Sequence, residues 1–440
     1  MKKFNKVTLS MLAFTVLAGC GTNISNNPDT MGLDNSFQIN RVTKEFANNV
    51  ETDEILIDDE YYKQYPDNFL ANEVINQLQS GIIPQYPEQL EKDNEVKSQS
   101  FLSIFNRKAV IDIFDSYGTT HKFSVVGRVY KKKSIKPPMA IDGTFRNIFR
   151  NIKYFTPDPI SNTEIKVIVD GVSRVAKTDK KGYFKVGFEA LGVQPGVNNV
   201  TAQIVGSKYK YEAPKEQVVI DNDDSDKVAI VSDIDDTVKY TEVHKKFKML
   251  KLLFTGNYRT DKPYLGVSSL YRGIIGGPMG RGVECMHYVT GSPANLYTRI
   301  QDFLKLNKYP QGSIDLKKGG STVDPNPSAT FDYKVSKIRP IMNAYPNKKF
   351  VFFGDNTQKD PEVYKQIKKE FPDRVLGIYI NNVVHEDPND PRQLIKDDPK
   401  SPRYEGILVT NSAIDAAQDL FKKGILSQDS LDKVITDVKY

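Results

Sequence analysis

Between residues 227 and 409 short apolar runs alternate with stretches of helical period, and this alternation constrains the chain more than any other property. The runs cover 227–232, 283–289, 349–353, 375–380 and 404–409. The segment 293–306 puts Leu296, Ile300, Phe303 and Leu304 on one helical face, with Ser292 as cap and Pro293 in the first turn. Asp360-Pro361 opens a second helix with Val363 and Ile367 inward, and Asn411-Ser412 opens a third that Gly424 closes. Strands separated by such helices pair in parallel, and a parallel sheet is covered on both faces. The expected fold is α/β, a doubly wound, mainly parallel, Rossmann-like sheet.

Ahead of this unit, from 101 to 220, the period shortens to two. Val110-Ile111-Asp112-Ile113-Phe114 and Ile165-Lys166-Val167-Ile168-Val169 are short alternating runs broken by Gly, Asp and Pro, which predicts a β-sandwich-like domain. Thr178-Asp179-Lys180-Lys181-Gly182-Tyr183-Phe184 resembles the turn of small prealbumin-like modules. The acidic run from Asp221 to Asp226 imitates a calcium loop, but an EF-hand needs Gly at its sixth position and Glu at its twelfth, where this chain has Asp226 and Ser232. It reads as a solvated linker.

Residues 1–19 combine Lys2, Lys3 and Lys6 with an apolar stretch too short to span a bilayer, the pattern of a secretory signal. Leu17-Ala18-Gly19-Cys20 resembles the lipobox of bacterial lipoproteins. That resemblance implies cleavage before Cys20, its acylation, and a lipid-anchored place in the bacterial cell envelope, on the outer-membrane or periplasmic side if the source is Gram-negative. Residues 20–100, polar and rich in Asn and Asp with one helix-like patch, read as a tether. The domain reading continues with a phosphatase unit at 226–426 and a C-terminal helix at 427–440. The only other cysteine is Cys285, so no internal disulfide is expected, and Gly291 rules out the arginine that a cysteine-phosphatase loop needs there. The net charge of +6 falls to +3 without the three signal lysines, too little and too evenly spread to indicate a nucleic-acid partner.

The chemistry gathers at strand ends. Ser232-Asp233-Ile234-Asp235-Asp236-Thr237 follows the first apolar run and delivers Asp233 and Asp235 to the edge where open parallel sheets keep their sites. Such a pair suits a metal ion, a nucleophile, or an acid beside a base, though a polar turn also uses these residues. Thr290 follows the second run and Gly354-Asp355 the third. Lys334 lies at the start of a helix-like segment reaching Tyr345, which Pro340 kinks or shortens. Carboxylates, a hydroxyl and an ammonium make sense together around a phosphoryl group.

These residues resemble the four motifs of the haloacid dehalogenase superfamily. More closely, 232–241, His287-Tyr288-Val289-Thr290-Gly291-Ser292-Pro293 and the stretch from Phe353-Gly354-Asp355 to Tyr364 resemble the catalytic domain of actin-patch-type phosphatidate phosphatases, whose motifs are related to those of lipins. The resemblance implies that Asp233 is the nucleophile and Asp235 the acid and base. It implies Mg2+ held by the carboxylates of Asp233 and Asp355 and the backbone carbonyl of Asp235. Thr290 and Lys334, with Thr237 and Gly291, would hold phosphoryl oxygens, and Asp360 would brace the ligands. This chain departs from the family in having Thr290-Gly291 where Ser-Asn is usual, and Asn356 where Ser is usual.

The implied activity is hydrolysis of phosphatidate, a membrane lipid, to diacylglycerol through an aspartyl phosphate. A soluble phosphomonoester or phosphoprotein as substrate, or a non-catalytic envelope scaffold, are the alternatives. The basic segment 245–254, with Phe247, Leu250 and Phe254 on one stripe, either meets anionic lipid or packs on the protein's own sheet. No large cap domain fits between the first two motifs.

Overall fold

The computed structural model describes residues 108–439 apart from 133–136, 144–145, 148–149, 152–157, 190–192, 195, 207–209, 213–215, 221–227, 242–255, 277–285, 318–326 and 387–392. The signal, Cys20, the tether, the acidic run, the basic segment 245–254 and Cys285 lie outside the described residues.

The first strands are β1 (Lys108–Phe114), β2 (Gly118–Thr119), β3 (Lys122–Lys131), β4 (Glu164–Val169), β5 (Val172–Lys177), β6 (Tyr183–Glu189), β7 (Gly196–Ile204), β8 (Lys210–Glu212) and β9 (Glu216–Ile220). One sheet has the order β2-β3-β1-β8 with β6 also on β3, and the other β5-β4-β7-β9. Pairing is antiparallel except between β1 and β8. Strand alternation sends Ile165, Val167 and Val169 of β4 inward, where they meet Ile111, Val125 and Phe188 of the other sheet. Two sheets sharing one apolar layer make a sandwich.

The second unit runs β10 (Val228–Ser232), α1 (Val267–Gly276), β11 (Met286–Pro293), α2 (Tyr297–Leu306), β12 (Ser313–Lys317), α3 (Pro327–Ala344), β13 (Lys349–Asp355), α4 (Asp360–Glu370), β14 (Val375–Asn381), the small pair β15 (His385–Glu386) and β16 (Leu394–Ile395), β17 (Leu408–Thr410), α5 (Ala413–Lys422) and α6 (Gln428–Lys439). In space the large sheet has the order β12-β11-β10-β13-β14-β17, every pair parallel. Chain progression reverses at β10, so the crevice at its C-terminal end is the switch point where such sheets bind ligands. Ala229, Val231, Phe350, Phe352 and Ile378 lie under α3 and α4. Ile230, Val351, Phe353 and Tyr379 face the layer of α1, α2, α5 and α6. Burial on both faces explains why 350–353 is apolar at every position. Ser412 and Asp415 form the capping box of α5, and Gly424, at φ +70°, follows its end.

The sandwich is docked against this unit. The Asp115 backbone N–H donates to the Tyr297 hydroxyl at 2.8 Å, Gln301 donates to the Asp115 carboxylate at 3.0 Å, and the Tyr345 hydroxyl donates to the Gly118 carbonyl at 2.8 Å. The rings of Phe114 and Tyr297 lie 4.7 Å apart.

Five elements differ from the sequence expectation. β12 is an additional strand: Ser-Ile-Asp-Leu-Lys is short, but Ile314 and Leu316 alternate into the core. β11 does not stop before Thr290 but runs through Ser292 to Pro293, pairing with β12 across a register shift. The following helix therefore begins at Tyr297 after a 3-10 turn at Ala294–Leu296, and Ser292 does not cap it. α3 starts at Pro327 and passes through Pro340, so Lys334 is mid-helix. Burial of Ile338, Ile341, Met342 and Tyr345 around Pro340 outweighs the loss of one backbone bond. The run 404–409 divides into a 3-10 turn at Pro402–Tyr404 and the short β17.

Candidate active site

The Asp233 N–H donates to the Phe353 carbonyl at 2.9 Å, so the chain leaves β10 still fastened to β13. Ile234 is buried, and the N–H groups of Val238 and Lys239 both reach its carbonyl, closing a tight turn. Asp236 adopts φ +55°, a conformation that Asp tolerates better than most residues, and its carboxylate accepts from the Thr241 N–H at 2.8 Å. The turn holds Asp233 and Asp235 buried at the sheet edge.

Asp233, Asp355 and Asp360 each place an oxygen within 4.8 Å of the others. Lys334 is buried among them, with Nζ 2.9 Å from Asp233 Oδ1 and a second ion pair to Asp360. The contact with Asp233 is a charge pairing without hydrogen-bond alignment, and neither Asp233 oxygen accepts a hydrogen bond. Asp355 Oδ1 accepts from the N–H of Thr357 at 2.6 Å and from its hydroxyl, whereas Oδ2 has no partner. Asp360 is engaged on both oxygens, by Lys334 and by the Asp355 N–H at 3.3 Å. Gly354 makes that approach possible, because a Cβ there would stand 2.6 Å from the Asp360 side chain.

Three carboxylates face one ammonium. Burial, reinforced by Asp360, Asp355 and Asp235, raises the Asp233 carboxyl well above the usual range although Lys334 opposes this. Burial, with Asp360 and Asp236, pushes Asp355 up to about 7. Burial disfavours the charged form of Lys334, but Asp233, Asp360 and Asp355 more than reverse that and keep it protonated. Buried oxygens without donors, in excess of negative charge, are what a hard divalent cation satisfies. The residues fit such an ion: Asp233 and Asp355 have the available oxygens, and Asp360 and Lys334 brace them.

Asp235 faces a different set. Its carboxylate accepts from the Ser292 hydroxyl at 2.6 Å, the Thr241 hydroxyl at 2.9 Å and the Thr290 hydroxyl at 3.3 Å, with Lys239 Nζ at 3.6 Å. Burial pushes this carboxyl up, but Lys239, Ser292 and Thr241 together hold it below the usual range. Lys239 also stands 4.0 Å from Asp261, which Arg299 grips at 2.6 and 3.0 Å. Two neighbouring carboxyls driven in opposite directions is the pattern that separates roles in acid–base sites.

Of the other expected residues, Thr290 meets Asp235 as above, and the Thr237 hydroxyl is buried with no partner. A Cβ at Gly291 would meet Thr330 and Gln358 only at ordinary van der Waals distance, so no close contact demands glycine there. Sequence reasoning missed Ser292, whose clue was its spacing from Thr290: residues two apart on an extended strand face the same side. It also missed Thr241, Lys239 and Arg403. The Arg403 guanidinium donates to the carbonyls of Asn356 at 2.9 Å and Gln358 at 2.6 Å and pairs with Glu362 and Asp397, fastening the loop between Asp355 and Asp360. Nothing local to Arg403 in the sequence announces that role.

Residues 228–382 match the family model described as phosphatidate phosphatase APP1, catalytic domain. Phosphatidate phosphatase APP1 of Saccharomyces cerevisiae is 28% identical over 162 residues, which are 35% of this chain and 25% of that protein. An uncharacterized protein of Schizosaccharomyces pombe is 26% identical over 291 residues, 64% of this chain and 45% of its own length. The chain thus spans less than half the length of these relatives. Among solved structures, the D0-D1 domain of Intimin is 18% identical, with 25% of this chain and 46% of that one covered and a TM-score of 0.15, too low to bear on the fold.

Proposed function

We propose that the APP1-type catalytic domain of residues 228–382 makes this chain a phosphoric monoester hydrolase of haloacid dehalogenase type, which takes phosphate from phosphatidate and leaves diacylglycerol. The observation that carries this reading is the Asp233 carboxylate, fully buried at the switch point, beside Lys334 and without a hydrogen-bond donor on either oxygen. A carboxylate so placed is an unmasked nucleophile.

An Asp233 oxygen attacks phosphorus, the bond to the glyceryl oxygen breaks, and an aspartyl phosphate forms. Asp235 gives the leaving oxygen a proton. Because Lys239 and Ser292 favour its ionised form, it releases that proton readily, then takes one from the water that cleaves the aspartyl phosphate. Lys334, Thr290, Thr237 and the Gly291 N–H stabilise the equatorial oxygens. The carboxylates of Asp233 and Asp355 and the Asp235 carbonyl would hold Mg2+, which would supply positive charge against the transferring group.

Acylation of Cys20 belongs to the same proposal, since an anchored enzyme of the cell envelope meets a lipid substrate at its own surface. Labelled palmitate should enter the wild type and not Cys20→Ser. The activity is tested with phosphatidate in mixed micelles beside soluble phosphate esters and a phosphoprotein. Preference for the lipid, loss with chelator and loss in Asp233→Asn are expected. Equal turnover of soluble esters would transfer the substrate assignment to them, and turnover undiminished in Asp233→Asn would end the mechanism.

A further inference from the structure

A second cavity adjoins the candidate site. It has a volume of about 200 Å³ and lies between the C-terminal edge of the sheet and α1, α5 and α6. Its lining includes Thr237, two residues beyond Asp235, and Gly354, next to Asp355, so the cavity adjoins the backbone that carries these carboxylates. No lining residue carries a charge. Leu265, Ala416 and Val438 supply aliphatic wall, and Tyr240 and Tyr264 stack with ring centroids 3.8 Å apart. Tyr240 and Leu265 are 49% and 57% exposed, which leaves apolar surface open to solvent beside the site.

We propose that this cavity binds the first carbons of an alkyl or acyl chain on the alcohol side of the phosphoester. The inference rests on the phosphatase reading of the site and names what lies beyond the phosphate. A phosphoryl group on Asp233 directs the rest of its ester away from the buried cluster, and the adjoining space offers no charge to pair with a charged alcohol or peptide. Thr237, whose unpartnered hydroxyl takes a phosphoryl oxygen in the proposed reaction, also lines the cavity, which sets the phosphate end of the ester against the start of its chain. Tyrosine pairs an apolar ring with a polar tip, suiting it to the border between a chain and its polar head.

The test uses n-alkyl phosphates from ethyl to octyl, each below its micelle concentration. Wild-type kcat/KM should rise about fourfold per methylene until the cavity is full, and then level. Ala416→Phe, which fills the cavity, and Leu265→Asp, which charges its exposed rim, should each lower the octyl-to-ethyl ratio at least tenfold. Leu265→Asp carries the test if the buried substitution does not fold by circular dichroism. A wild-type rate indifferent to chain length, or an unchanged ratio in Leu265→Asp, overturns the proposal. Ethyl phosphate turnover that survives in Asp233→Asn would instead overturn the underlying phosphatase reading.

Discussion

Replacing Asp355 by Asn should stabilise the metal-free protein while removing its activity. The substitution keeps shape, and its Oδ1 can still accept the Thr357 N–H now bonded at 2.6 Å. What it removes is one of three carboxylates whose oxygens lie within 4.8 Å of one another. A pair of like charges at that spacing repels by about 3–4 kcal/mol at an effective dielectric near 20. The displacement of Asp355 from 3.8 to about 7 leads to a similar figure, about 4 kcal/mol well above pH 7. Because the folded-state value is raised, the unfolded chain loses its proton first. The Asp355 contribution to wild-type stability is therefore greatest below pH 3.8 and falls as pH rises through 7. The advantage of Asp355→Asn should grow by about 3 kcal/mol between pH 4.5 and pH 8 in EDTA. Urea unfolding followed by far-UV circular dichroism reads this directly, the chain having no tryptophan. With Mg2+ at a hundred times its dissociation constant, the wild type should recover about 2.7 kcal/mol and the variant should not. An advantage independent of pH, or an equal Mg2+ response in both proteins, refutes the charge argument.

Ser292→Ala removes the 2.6 Å bond to Asp235, so kcat should fall about 10- to 100-fold and the limb of the pH–rate profile set by Asp235 should move upward. Arg403→Met frees the loop behind Asp355, and the Mg2+ concentration for half-maximal activity should rise about tenfold, with no such change in a surface control such as Lys369→Met. His287 is buried, and burial with Lys348 lowers its value from 6.5 to about 3, so it folds neutral. The His287 contribution to stability should be complete above pH 6.5 and decline as pH falls toward 3, by at most about 5 kcal/mol, and His287→Gln should flatten that decline in acid titrations.

The parallel sheet was legible because 349–353 and 375–380 are buried on both faces and so carry apolar residues at nearly every position. β12 was not, since Asp315 interrupts its apolar pattern and five residues hold too little of it. Asp233, Asp235 and Asp355 could be found because strand ends converge whatever the connections between them. Ser292 was hidden by Pro293, which makes it look like a helix cap when the backbone is still extended. The ion pair of Lys334 with Asp360 depends on how α3 and α4 pack, and no local pattern encodes that.

The eight residues of β11 have one more consequence. Thr290 and Ser292 lie within the register shift of an otherwise paired strand, between Val289 and Pro293, which both pair with β12. One residue inserted or lost in the paired part of β11 ahead of Thr290 would turn both hydroxyls to the opposite face together. In the proposed reaction, the Thr290 contact with the phosphoryl group and the Ser292 contact with Asp235 would therefore be hard to retune separately. Substitution on α1, α5 and α6 around the neighbouring cavity is free of that constraint, so among descendants of this chain the alcohol accepted can drift while the bond cleaved stays the same.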